Sequence, residues 1–111
     1  MTTKMSFTAA GDMLVQRRLP GSYPGFEEIA AQIQKGEFRF FNLETTLHDY
    51  ETYGSQYNGG SYLCAPPEVL DDARRFGFNI TSFANNHTLD FSYGGVEKTL
   101  HHLRKADFPH A

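Results

Sequence analysis

Three short apolar runs in this chain each stop at a block of carboxylate, amide or imidazole side chains, with helical patterns between them. Phe7-Thr8-Ala9-Ala10 ends at Gly11-Asp12, and Phe38-Arg39-Phe40-Phe41 ends at Asn42-Leu43-Glu44. Phe78-Asn79-Ile80-Thr81-Ser82-Phe83 ends at Asn85-Asn86-His87, with Asp90 three residues on. Runs of this length and character read as buried strands. The first helical pattern is Phe26, Ile29, Ala30, Ile33, spaced i, i+3, i+4, i+7, with Gly36 as its stop. Pro20, Gly21, Pro24 and Gly25 make its approach a loop. The second runs from Pro67, at a first-turn position, through Val69, Leu70, Ala73 and Phe76 to Gly77. Its acids Glu68, Asp71 and Asp72 fall early and Arg74-Arg75 late, which suits the helix dipole. The third follows Gly94-Gly95, carries Val96, Leu100 and Leu103, and ends before Pro109. The order β-α-β-α-β-α predicts an α/β fold with a mainly parallel sheet and right-handed crossovers. All three strand ends then lie on one edge, where open α/β sheets bind ligands.

The 111 residues make one domain or part of one, and 40% hydrophobic with 14% aromatic content argues for a packed core. A net charge of −3 leaves no electrostatic footprint for nucleic acid. No apolar run is long enough to span a membrane, and no signal-peptide pattern precedes Phe7, so the expected location is cytoplasmic. The lone Cys64 excludes an internal disulfide and reads as a structural thiol. One segment breaks the alternation. Residues 48–65 hold Tyr50, Tyr53, Tyr57, Tyr62, Gly54, Gly59 and Gly60, a loop of a length that is usually functional or mobile. Within it, Asn58-Gly59-Gly60 suits the turn of a small hairpin.

The strand ends differ in what they offer. Gly11 lets the backbone turn tightly beside Asp12, although an Asp after a strand also serves as a turn or cap residue. Arg17 and Arg18 either bind an anion at this edge or stay solvated. In extended chain Asn42 and Glu44 face one side while Leu43 packs on the other. A carboxylate beside the dry core of Phe38, Phe40 and Phe41 is costly without a partner, and a metal ion would remove that cost. A capping cluster is the alternative. The amide oxygens of Asn85 and Asn86 suit a hard or borderline cation, and His87 suits a transition metal or proton transfer. Asp90 can ligate or orient the His87 ring. Left-handed Asn residues around a satisfied His form the structural alternative. His48 opens the long loop within reach of the site, whereas His101 and His102 sit within the third helix and His110 near the end.

Ala10-Gly11-Asp12, Asn42-Leu43-Glu44, and Gly77-Phe78-Asn79 leading into Ala84-Asn85-Asn86-His87 with Asp90 and Gly94 resemble the CapA family. These are bacterial capsule and poly-gamma-glutamate synthesis proteins related to the calcineurin-like metallophosphoesterases. The resemblance covers most of the chain, and its Asn-Asn-His block is the specific part. It implies that residues 1–111 are the N-terminal part of a metallophosphoesterase-like α/β/β/α sandwich. It also implies a site for two divalent ions of the Mn, Zn or Fe type. By that resemblance Asp12 matches the first ligand carboxylate, Glu44 with Asn42 takes the bridging position, and Asn86 matches the ligand Asn. His87 stabilises or protonates the leaving group, tuned by Asp90. Leu14 stands where the wider superfamily has a His, and Glu44 where it has an Asp. A His-x-Gly-x-Glu-like block of further ligands is absent from these residues. The expectation is a portion inactive alone, completed by a C-terminal half or a partner chain. The implied function is hydrolysis of an anionic or phosphorylated small molecule or polymer in capsule or poly-gamma-glutamate metabolism. The alternatives are non-catalytic binding of an anionic polymer or glycan, with the tyrosines of residues 50–62 in contact, and a scaffolding part of a polymer-synthesis complex. Relatives in the family are often anchored at the cell surface.

Overall fold

The computed structural model describes residues 2–58 and 60–111. Its elements are β1 (Phe7–Met13), α1 (Phe26–Ile33), β2 (Phe38–Leu43), β3 (Thr46–Leu47), β4 (Cys64–Ala65), α2 (Val69–Phe76), β5 (Ile80–Ser82) and α3 (Ser92–Lys105). The predicted α/β class and parallel sheet are present. β2 lies between β1 and β5, and both pairings are parallel. On the far side of β5, Thr81 forms a further parallel bridge with His110. There the Thr81 N–H donates to the Pro109 carbonyl at 3.1 Å and Ala111 N–H to the Thr81 carbonyl at 3.2 Å. No helix among the described residues is long and apolar enough to cross a membrane.

The period-two rule explains which residues of β2 reach the core. Phe41 and Leu43 are fully buried, while Asn42 and Glu44 alternate with them on the other side. Phe41 is the hub, edge-on to Phe78 at 4.9 Å and to Phe108 at 5.7 Å between ring centroids. Burying a side chain of this kind contributes about 1.5–3 kcal/mol. Ile33 of α1, Val69, Leu70 and Ala73 of α2 and Leu103 of α3 close the same core. The edge strand β1 is mostly exposed, with Phe7 stacked on Phe40 at 6.3 Å.

Helix α2 stops where its glycine dictates. Gly77 has φ 101°, and a Cβ there would lie 2.5 Å from Gln34 Cγ, so both backbone and space require glycine. Helix α3 departs from expectation: it begins at Ser92, which places Gly94 and Gly95 inside its first turn. Gly95 is a packing residue, since a Cβ there would meet Phe91 Cβ at 2.6 Å. The expected loop over 48–65 ends in β4, which pairs with β3 just before the loop. Both strands are two residues long, too short for any periodicity, and are fixed by tertiary bonds such as Leu47 N–H to Thr99 Oγ1 at 2.9 Å. They pair in parallel and so do not form a hairpin. The turn expected at Asn58-Gly59-Gly60 includes Gly59, outside the described residues.

Arg18 is engaged by α2. Its guanidinium forks onto Asp72 of α2, Nε to Oδ2 and Nη2 to Oδ1, both at 3.0 Å, and Leu19 N–H reaches Oδ2 at 3.0 Å. Arg75 adds a bond to Oδ1 at 2.6 Å. Burial alone would push the Asp72 carboxyl up, but these donors, Arg18 first, hold it below the usual carboxylate value. The clamp ties the loop before α1 to α2. Asp72→Asn is expected to cost about 2 kcal/mol, a moderate figure because the arginines stay partly solvated. A depressed carboxylate stabilises the fold above its unfolded pKa, and that contribution is lost as pH falls through the folded value. Thermal melts should therefore separate wild type and variant at neutral pH and converge in strong acid. Equal melting temperatures at pH 7 would contradict the clamp.

Candidate functional site

The sheet aligns the first two strand ends with the third. The β1–β2 register shifts between Ala9 and Asp12, a bulge at Ala10-Gly11 that re-aims the carboxylate. Beyond it Asp12 pairs with Asn42, and Asn42 with Ser82, so one row crosses all three strands. Asn42 Nδ2 donates to Asp12 Oδ1 at 2.9 Å. The Asn85 side chain continues the row, donating from Nδ2 to Asn42 Oδ1 at 3.2 Å and to the Leu43 carbonyl at 2.8 Å.

The turn after β5 is held by its own short polar side chains. Asn85 Oδ1 accepts the His87 N–H at 2.9 Å, and Thr88 Oγ1 accepts the Asn85 N–H at 3.0 Å while donating to the Phe83 carbonyl. That turn tucks His87 inward, where it is 7% exposed. His87 Nδ1 lies 2.7 Å from Oδ2 of the fully buried Asp90. A buried carboxylate selects the Nδ1–H tautomer and leaves Nε2 for chemistry. Nε2 sits 4.0 Å from Glu44 Oε1. The same Asp90 oxygen also accepts the Leu63 N–H at 2.8 Å, and the Asp90 carbonyl accepts Ser55 N–H at 2.8 Å.

The two strand-end carboxylates perturb one another. Asn42, and after it Glu44, hold the Asp12 carboxyl below its ordinary value. Burial, followed by the hydrogen bond and charge of Asp12, pushes the Glu44 carboxyl up, partly opposed by His87. Glu44 Oε2 is buried with no hydrogen-bond partner. An orphaned carboxylate oxygen beside a second carboxylate has the chemistry to meet a cation, whereas the Asn42 and Asn85 side-chain oxygens already accept N–H donors. Among the described residues, no group of three or more His, Cys, Asp or Glu side chains is placed to hold a metal ion. The carboxylates of Asp12 and Glu44 do not by themselves make up a metal ligand set.

Asp12, Asn42, Glu44, His87 and Asp90 are thus brought together as one chain of contacts. Asn86 is exposed on the turn beside His87, and the amide that bonds to Asn42 is that of its neighbour, Asn85. His48 is fully buried beneath the long loop, bonded to Thr46 and in contact with Cys64. The His101 and His102 rings meet edge-on along α3. Sequence reasoning missed the inward turn of Asn85, signalled by the Asn-x-His-Thr order of an Asx turn. It also missed the Leu63 N–H, a backbone group that carries no sequence signal.

The bacterial capsule synthesis protein PGA_cap family matches residues 6–111. Two proteins of Sinorhizobium fredii (strain NBRC 101917 / NGR234), named uncharacterized protein y4sH and y4uA, are each 35% identical over 111 residues, 96% of this chain and 24% of theirs. The capsule biosynthesis protein CapA of Bacillus anthracis is 23% identical over 112 residues, 94% of this chain and 27% of its own. The chain spans about a quarter of the length of these curated relatives. With the match running from the first strand through the Asn-His turn to its last residue, the chain belongs to the bacterial capsule synthesis protein PGA_cap family.

Proposed function

We propose that this edge is part of the active site of a divalent-metal-dependent, phosphoesterase-like hydrolase serving capsule or poly-gamma-glutamate synthesis. The observation that carries the reading is the facing of Glu44, with its orphaned Oε2, by the buried His87–Asp90 pair. Asp12, Asn42, Glu44 and Asn86 would hold the metal, taken as two ions of the Mn, Zn or Fe type, with further ligands from the rest of the full-length protein. Such ions supply a water of lowered pKa and charge compensation for a phosphoryl or similar anion. His87 gives a proton from Nε2 to the leaving oxygen, and Asp90 keeps Nδ1–H in place and stabilises the charged ring. The substrate is an anionic or phosphorylated small molecule or polymer. The test is hydrolysis of a chromogenic phosphodiester by the full-length protein. Turnover that requires Mn²⁺ and stops with EDTA supports the reading, whereas no turnover with any divalent ion contradicts it.

A second reading, non-catalytic glycan binding, is favoured by the long loop. Tyr53 is 91% and Tyr57 82% exposed. Tyr53 and Gln56 line a cavity of ≈ 500 Å³ with Phe91 and Ser92. No Lys or Arg falls between Arg39 and Arg74, so this face suits an uncharged, hydroxyl-rich ligand better than a polyanion. Under this reading the Tyr53→Ala, Tyr57→Ala double variant weakens glycan binding about tenfold by calorimetry. Unchanged affinity would remove the tyrosines from any binding role.

A further inference from the structure

We propose that His48 is a positioning residue for His87, acting through Thr46, Leu63 and Asp90. The starting point is the tautomer of His48, which its neighbours determine. The Thr46 hydroxyl donates its one proton to the Leu63 carbonyl at 2.8 Å, so it must accept from His48 Nε2 at 2.9 Å. His48 Nδ1 accepts the Tyr50 N–H at 3.2 Å and is therefore unprotonated. The Cys64 thiol satisfies itself on the His48 carbonyl at 3.2 Å. The neutral Nε2–H ring meets all these contacts, and burial, which holds its pKa below the ordinary value, agrees with it.

Leu63 is the joint between this buried ring and the candidate proton donor. Its carbonyl takes both the Thr46 N–H, at 3.1 Å, and the Thr46 hydroxyl. Its N–H donates to Asp90 Oδ2 at 2.8 Å, the oxygen that also holds His87 Nδ1 at 2.7 Å. The β3–β4 ladder is two residues long, and no helix or strand occurs among the described residues between His48 and Leu63. A ladder so short fixes the start of β4 weakly, and closing the loop opposes it entropically. His48 supplies what is missing: it orients the Thr46 hydroxyl, which pins the Leu63 carbonyl and so aims the Leu63 N–H. Phe91, edge-on at 4.5 Å between ring centroids, keeps the His48 ring in place. Partners behind a functional His set its ring orientation and basicity.

The activity arm of the test rests on His87 being the proton donor; the spectroscopic arm does not. In full-length protein labelled with ¹⁵N-histidine, the His87 Nδ1–H bonded to Asp90 is expected as a downfield, exchange-protected proton, assigned by its loss in His87→Asn. His48→Phe and Thr46→Val should shift that signal and abolish its protection. His48→Gln and Thr46→Ser, which keep the donor and the hydroxyl, should retain it. With His87 as proton donor, His48→Phe and Thr46→Val also lower kcat about tenfold at unchanged KM. A signal unchanged in Thr46→Val overturns the proposal, and that variant decides if His48→Phe fails to fold. Loss of the signal in Thr46→Ser overturns it as well, because the effect then follows packing. Loss of the signal in Thr46→Val with turnover unchanged upholds the positioning role and instead removes His87 from proton transfer.

Discussion

Replacing His87 by Asn in the full-length protein is expected to lower kcat for an alkyl phosphoester about 100- to 10,000-fold, the range that a positioned general acid contributes. The substitution removes Nε2, the nitrogen left free once Nδ1 is bound to Asp90. An Asn side chain still offers an N–H toward Asp90, so the buried carboxylate is not abandoned and the fold survives. The expected signature is a dependence on the leaving group. A nitrophenolate leaves without a proton and should lose little rate, while an alkoxide should lose most of it. Equal losses with both leaving groups would show that His87 does not protonate the leaving oxygen.

The second large effect concerns metal. Manganese at about a hundredfold excess over its dissociation constant should raise the melting temperature of the full-length protein by about 5–10 °C. Asp12→Asn or Glu44→Gln should abolish most of that rise. Glu44→Gln also has a sign of its own. Glu44 is pushed toward its protonated form by burial and by Asp12, and its Oε2 is orphaned. Without metal, the neutral amide should match or exceed wild type in stability; with metal, it should fall below. A crossing of this kind is expected of a carboxylate placed for a cation and not for the fold. Differential scanning fluorimetry with and without Mn²⁺ reads both arms, and parallel shifts in wild type and Glu44→Gln would contradict a role for Glu44.

Much of this arrangement is legible in the sequence where local periodicity and packing agree. The runs beginning at Phe7, Phe38 and Phe78 form the sheet, although β5 is confined to Ile80–Ser82, and α1 and α2 follow their apolar spacing. Glu44 and Asn42 share a side because alternation in a strand is geometric, and Asp90 meets His87 because the turn is three residues deep. What fails are features set by distant partners. Gly94 and Gly95 look like a helix start but lie inside α3, where Gly95 is needed for contact with Phe91. Arg18 looks available to an anion but is held by Asp72, 54 residues away. Asn85 and Asn86 are indistinguishable as residue types, and the Asx turn onto His87 with the Thr88 contact decides which one faces Asn42. The Leu63 N–H and the His48 tautomer belong to a network that no spacing rule predicts.

The most direct measurement is anomalous diffraction at the manganese edge from crystals of the full-length protein soaked in Mn²⁺. The expected result is a peak coordinated by the carboxylates of Asp12 and Glu44, on the side of the sheet edge that faces His87, and its loss in Glu44→Gln. A structure at saturating Mn²⁺ with both carboxylates uncoordinated, or with the ion bound elsewhere in the protein, would contradict it.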